Sequence, residues 1–124
     1  MNLTAAEWSV MECLWEKYPL TGREVTEQMA ARCGWSRSTT LTLLSRLEAK
    51  GAVAGNADGG KKAFSPLICR EDAAQQETEN FLEKVYKGSL SLMVSALTRR
   101  QPLSRQEIGE LYAILKEMEE KDDA

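Results

Sequence analysis

The sequence predicts a mainly α-helical fold with a small β wing, organised as two halves. Three observations predict it. Helix-capping signatures recur at Thr4, Thr21, Ser36 and Ser104. Apolar residues follow each at helical spacing, and two short β-prone runs flank a Gly-Gly turn near residue 60.

Thr4-Ala5-Ala6-Glu7 has the spacing of a capping box, in which the Thr4 hydroxyl accepts from the Glu7 amide and Glu7 reaches back to the cap amide. The helix it opens places Trp8, Met11, Leu14 and Trp15 on one apolar stripe, with Pro19 in its terminating segment. A second box, Thr21-Gly22-Arg23-Glu24, opens a helix expected to turn Val25, Met29 and Ala30 inward. Gly34 ends it, because glycine takes a left-handed cap without a side-chain penalty. Ser36 caps a third helix whose Thr40, Leu43, Leu44 and Leu47 form an i, i+3, i+4, i+7 face, and Lys50-Gly51 closes it. Ala52-Val53-Ala54 and Lys62-Ala63-Phe64-Ser65 read as strands, reversed through Asp58-Gly59-Gly60. A hairpin that short is marginal alone, so it should rest on the helices.

Pro66 and Leu67 lead out of this first half. A long helical pattern begins near Glu71 and is bent or interrupted at Gly88-Ser89. It carries Phe81, Val85, Leu90, Met93, Val94 and Leu97. Pro102 ends it, and Ser104-Arg105-Gln106-Glu107 starts a last helix with Ile108, Leu111, Tyr112, Leu115 and Met118 on one side, before a frayed tail over Glu119 to Ala124. These stripes expect cover from a second copy of the chain, since an exposed leucine forgoes about 1.5–3 kcal/mol of burial. The alternative is packing back onto the chain's own first half. The expected division is therefore 1–70 and 71–124.

The chain has 124 residues and a net charge of -3. Residues 21–70 hold eight Arg or Lys against four Asp or Glu, a local +4, while residues 71–124 hold seven against twelve, a local -5. A basic half of that kind can approach phosphates while the acidic half stays away. Cys13, Cys33 and Cys69 are isolated and there is no histidine, so buried free thiols are expected rather than a metal site. No apolar stretch approaches the roughly 20 residues of a membrane span, and the N-terminus lacks a secretory pattern, so a cytoplasmic protein without membrane insertion is expected. The absence of histidine, of a paired carboxylate constellation and of a glycine-rich phosphate loop argues against an enzyme, and no cofactor is expected.

Helix, sharp turn, second helix and hairpin together read as an N-terminal winged helix-turn-helix. With the 40/43/44/47 face inward, Arg37, Ser38, Leu41 and Thr42 point away from the core and Thr39 lies at the flank. Such residues at a helix N-terminus can meet base edges in the major groove of double-stranded DNA. Leu41 either touches a thymine methyl or is a solitary surface leucine. Arg46, one turn on, suits a phosphate, as do Lys61 and Lys62 near the wing tip, unless these two only solubilise the hairpin. A protein-interaction adaptor that uses the same fold without reading DNA is the alternative function.

Leu3-Thr4-Ala5-Ala6-Glu7-Trp8, the run from Trp35-Ser36 to Arg46-Leu47, Lys50-Gly51, Asn80 to Gly88 and Leu103 to Ile108 together resemble the BlaI/MecI/CopY family of bacterial repressors, over nearly the whole chain. The resemblance implies a homodimeric transcriptional repressor of the penicillinase-repressor type, with a winged N-terminal domain on a palindromic operator and a C-terminal helical dimerisation domain. It implies recognition-helix contacts at Ser36, Ser38, Thr39, Leu41 and Thr42, with Arg46 near the backbone. Members commonly carry basic residues where Ser38 and Leu41 stand, which implies a different operator sequence here. The cysteine-rich copper-binding tail of the copper-responsive members is absent. In antibiotic-responsive members a sensor-linked protease cuts between an asparagine and a phenylalanine, and the pair matched here is Asn80-Phe81.

Overall fold

The computed structural model describes residues 1–57 and 59–122. In chain order they form α1 (Ala5–Glu16), β1 (Leu20–Thr21), α2 (Gly22–Cys33), α3 (Arg37–Lys50), β2 (Val53–Asn56), β3 (Ala63–Pro66), α4 (Arg70–Tyr86), α5 (Leu90–Arg100) and α6 (Arg105–Asp122). They fall into two compact units, Met1–Asn80 and Phe81–Ala124, so the division lies inside α4 rather than at residue 70.

The caps form as their sequences require. Both Thr4 and Thr21 make complete reciprocal boxes with Glu7 and Glu24. Gly34 and Gly51 close α2 and α3 at φ of 69° and 81°, in the left-handed region that favours glycine. Ser104 is half a box. Its Oγ accepts from the Glu7-like amide of Glu107 at 3.1 Å, but the Glu107 carboxylate returns to the serine hydroxyl instead of the cap amide.

The core of the first unit is built from Val10, Met11, Cys13 and Leu14 of α1, Leu20 of β1, Val25 and Met29 of α2, and Leu43, Leu44 and Leu47 of α3, closed by Ala52, Val53 and Phe64. All four residues of the expected inward face of α3 are buried. Ala30 is exposed, contrary to expectation, because Val25 and Met29 already define the buried side of α2. Cys33 and Cys69 are exposed too, since they lie at helix ends, and Cys13 alone is a buried thiol.

The sheet has three strands, not two. β3 is central, with β2 antiparallel on one side and β1 on the other, pairing Leu20 with Phe64 and Gly55 with Phe64 across its two edges. The hairpin strands begin one residue later than expected, and Asp58 of the proposed reversal lies outside the described residues. The start of α4 is bound into this unit. Arg70 pairs with Glu12 at 2.9 Å and lies 5.8 Å from the Trp8 ring, and the Trp15 indole donates to Ile68 O at 2.9 Å. The Arg70 guanidinium, outweighing partial burial, holds the Glu12 carboxyl below its usual range.

In the second unit the long helical pattern is broken outright. Lys87 and Gly88 take positive φ values of 52° and 85°, and Ser89 then caps α5 through the Leu92 amide at 3.2 Å. The last helix continues through Glu119–Asp122, which corrects the expected frayed tail, while Asp123 and Ala124 lie outside the described residues. Leu90, Leu92 and Leu97 of α5, and Ile108, Leu111, Ile114 and Leu115 of α6, are exposed on the single chain. Among the described residues, no helix is long and apolar enough to cross a membrane.

Candidate nucleic-acid interface

α3 is held from both ends and from one side. Gly34 turns the chain out of α2, with its amide donating to Ala30 O at 3.0 Å, and Trp35 packs on the core behind it. Ser36 Oγ then accepts from the Thr39 amide at 3.3 Å. At the far end Lys50 donates to the buried Glu7 carboxylate at 2.6 Å. With Thr40, Leu43, Leu44 and Leu47 facing the core, the rotation of the helix has no freedom left. A one-residue slip would turn about 100° of apolar surface into water.

The outer face consequently carries Arg37, Ser38, Thr39, Leu41, Thr42 and Arg46, all exposed. Unlike α1 and α2, α3 has no acidic residue in its first turn. Its N-terminus thus keeps the partial positive charge of unpaired amides, reinforced by Arg37, which suits an approaching phosphate. The Ser36 hydroxyl is within 3.2 Å of Ser38 Oγ and 3.0 Å of Thr39 Oγ1. Its cap role occupies it locally, so it positions the turn and holds Ser38 and Thr39, while Thr42 lies exposed one turn further on.

Leu41 is 37 % exposed. Its Cδ2 leans over the start of α2, where a Cβ on Gly22 would lie 3.5 Å away, so part of the side chain already has an apolar neighbour. Thr42 and Arg46 line a shallow surface depression with Ser38, Thr39 and Leu43.

The two wing lysines differ. Lys61 is exposed. Lys62 is ion-paired with Glu48 at 2.8 Å and sits 5.4 Å from the Phe64 ring centroid, so it braces the wing against α3. Sequence reasoning treated the two alike and missed Glu48 as a partner. The only signal was an acid near the end of α3 facing a basic wing. Among the described residues no cluster of histidine, cysteine, aspartate or glutamate is arranged to hold a metal ion.

The chain is similar to known proteins over most of its length. The penicillinase repressor family model matches residues 3–117. The chain is 33 % identical over 116 residues to the penicillinase repressor of Bacillus licheniformis, covering 94 % of this chain and 91 % of that one. It is 32 % identical over 114 residues to the methicillin resistance regulatory protein MecI of Staphylococcus aureus strain N315, covering 92 % and 93 % respectively. Among solved structures, the DNA binding domain of the repressor BlaI matches with a TM-score of 0.53 at 30 % identity, over 57 % of this chain and 87 % of that one. The monomeric form of Bacillus licheniformis BlaI in complex with the blaP half-operator matches with a TM-score of 0.53 at 29 % identity, over 58 % and 88 %.

Proposed function

The chain belongs to the penicillinase repressor family, and from that membership and the exposed face of α3 we infer that it is a homodimeric transcriptional repressor of double-stranded operator DNA. The observation that carries the reading is the fixed rotation of α3, which turns four residues into the core and leaves Arg37, Ser38, Thr42 and Arg46 together on the outside. BlaI, solved in complex with the blaP half-operator and similar to this chain over 58 % of its length, supports DNA as the partner. Ser38, Thr39, Leu41 and Thr42 choose the sequence, Arg37 serves base or phosphate, and Arg46 and Lys61 contact the backbone.

The second half joins two such reading heads. Phe81, Val85, Leu90 and Leu97, with Ile108, Leu111 and Leu115, are exposed on the single chain, and half-buried Met93 and Val94 lie among them. A second copy that covers them links two half-site contacts, so each raises the local concentration of the other. A two-fold axis then demands a palindromic operator.

Release by a sensor-linked protease at Asn80-Phe81 follows from the family resemblance alone. Cutting there would separate the reading unit from α5 and α6 and remove the benefit of linkage. Both residues lie within α4, where the Asn80 carboxamide donates to Asn2 Oδ1 at 2.6 Å and accepts from Gln76 at 2.9 Å. A protease takes up extended backbone, so that cut requires α4 to open first. Light scattering on the protein bound to a duplex it selects tests the dimeric reading: two chains per duplex are expected, and one chain per duplex at saturation would overturn it.

A further inference from the structure

Lys62 is the wing residue whose ammonium is paired within the protein, although its side chain remains 48 % exposed. Its Nζ lies 2.8 Å from Glu48 Oε1, and the Phe64 ring centroid is 5.4 Å from the same nitrogen. The side chain reaches Glu48 by passing over Gly55. A Cβ there would lie 2.2 Å from Lys62 Cε and 2.8 Å from Glu48 Oε2. Gly55 is not among the glycines with positive φ, so its backbone does not require glycine. What this position supplies is empty space, and the Lys62–Glu48 pair fills it.

We propose that Glu48 and Gly55 form a latch that withholds Lys62 from the DNA backbone and so sets the strength of the wing's phosphate contact. The proposal rests on the reading of the wing as a DNA-facing element. A lysine that reached a phosphate would strengthen binding to every duplex alike, because phosphate attraction carries no sequence information. With Lys62 held on α3, that sequence-independent increment is absent and Lys61 is left as the wing's phosphate ligand. Glu48 and Gly55 are positioning residues here, acting on DNA only through Lys62.

Two substitutions open the latch by different routes. Glu48→Gln removes the partner charge. Gly55→Ala changes no charge, and its Cβ displaces the flexible ends of Lys62 and Glu48 rather than backbone, so the strand itself survives. Both variants of the full-length chain should bind an unrelated duplex about two- to five-fold more tightly, the range an exposed ion pair supports. The slope of log affinity against log salt should steepen by about 0.9, the signature of one added phosphate contact. Both gains should vanish when Lys62→Met is added, whereas Lys62→Met alone should leave the salt slope unchanged. Gly55→Ala should also be retained longer than the parent on immobilised heparin, a polyanion that needs no operator. If Lys62→Met alone flattens the salt slope, or if Gly55→Ala leaves both duplex affinity and heparin retention unchanged, the latch is refuted. Failure of the parent protein to bind any duplex would instead overturn the repressor reading, while heparin retention would still decide the latch.

Discussion

Lys50 Nζ donates to Glu7 Oε1 at 2.6 Å and to Asn2 O at 2.9 Å, tying the last turn of α3 to the first turn of α1. Glu7 is 1 % exposed. It also accepts from the Thr4 amide at 2.8 Å, so one carboxylate both caps α1 and anchors the end of α3. Burial pushes its pKa up, but the Lys50 ammonium and the bonds from Thr4 outweigh that and hold it below the usual carboxylate range.

Lys50→Met should therefore leave a buried carboxylate short of a charged donor and destabilise the first unit by about 1.5–3 kcal/mol. The lower end is expected, because the Lys50 side chain is 36 % exposed. A carboxyl whose pKa is depressed by folding contributes stability above its unfolded pKa and loses it as pH falls through its folded pKa. The gap between parent and Lys50→Met in urea denaturation should narrow across that acidic range, where protonated Glu7 no longer needs the ammonium. A gap independent of pH would contradict the role given to this pair.

Thr42→Ala should reduce preference for the selected operator more than it reduces binding to unrelated duplex. Arg46→Ala should weaken both together and flatten the salt dependence by about one phosphate contact. Competition binding at several salt concentrations separates the two. Unchanged sequence discrimination in Thr42→Ala would mean that α3 meets DNA on a different face.

The caps and the inward face of α3 were readable in the sequence because both are local. A threonine with glutamate three residues on, or apolar residues at helical spacing, carries its physics within a few positions. The parts that were not readable depend on distant partners. β1 is two residues long and exists through its pairing with β3, so Leu20-Thr21 shows no periodicity of its own. Glu7 reads as a cap, and nothing local reveals that it is buried against Lys50, 43 residues away. Arg70 stands just before the helical pattern read from Glu71, and nothing local reveals that it pairs with Glu12 and lies by Trp8. For the candidate site, the outward row of α3 followed from its inward row, but the difference between Lys61 and Lys62 required the wing's register against Glu48.

Leu115→Asp should weaken self-association, because it places a charge within the exposed apolar surface of α6 that a second copy is expected to cover. Leu115 is 54 % exposed on the single chain, so the substitution should leave the helix itself intact. Sedimentation velocity with circular dichroism checks both points together. An unchanged dimer with unchanged helicity would remove α6 from the interface.

Trypsin should cut after Lys87 well before it cuts after Lys84. Both lysines are exposed, but Lys84 is inside α4, while Lys87 and Gly88 form the left-handed break before α5. Protease active sites bind extended backbone, so cleavage rates report local opening. Mass spectrometry of a brief digest gives the order. Equal rates would mean that the end of α4 frays freely, which would also expose Asn80-Phe81 without any triggering event.

Selection of the full-length protein against random-sequence duplexes, followed by salt titration of the enriched pool, tests the central claim most directly. The account predicts a two-fold symmetric sequence with half-site centres about 10 base pairs, or a multiple of one DNA turn, apart. It also predicts affinity that falls steeply with salt. A folded, dimeric preparation that enriches no symmetric sequence would contradict it.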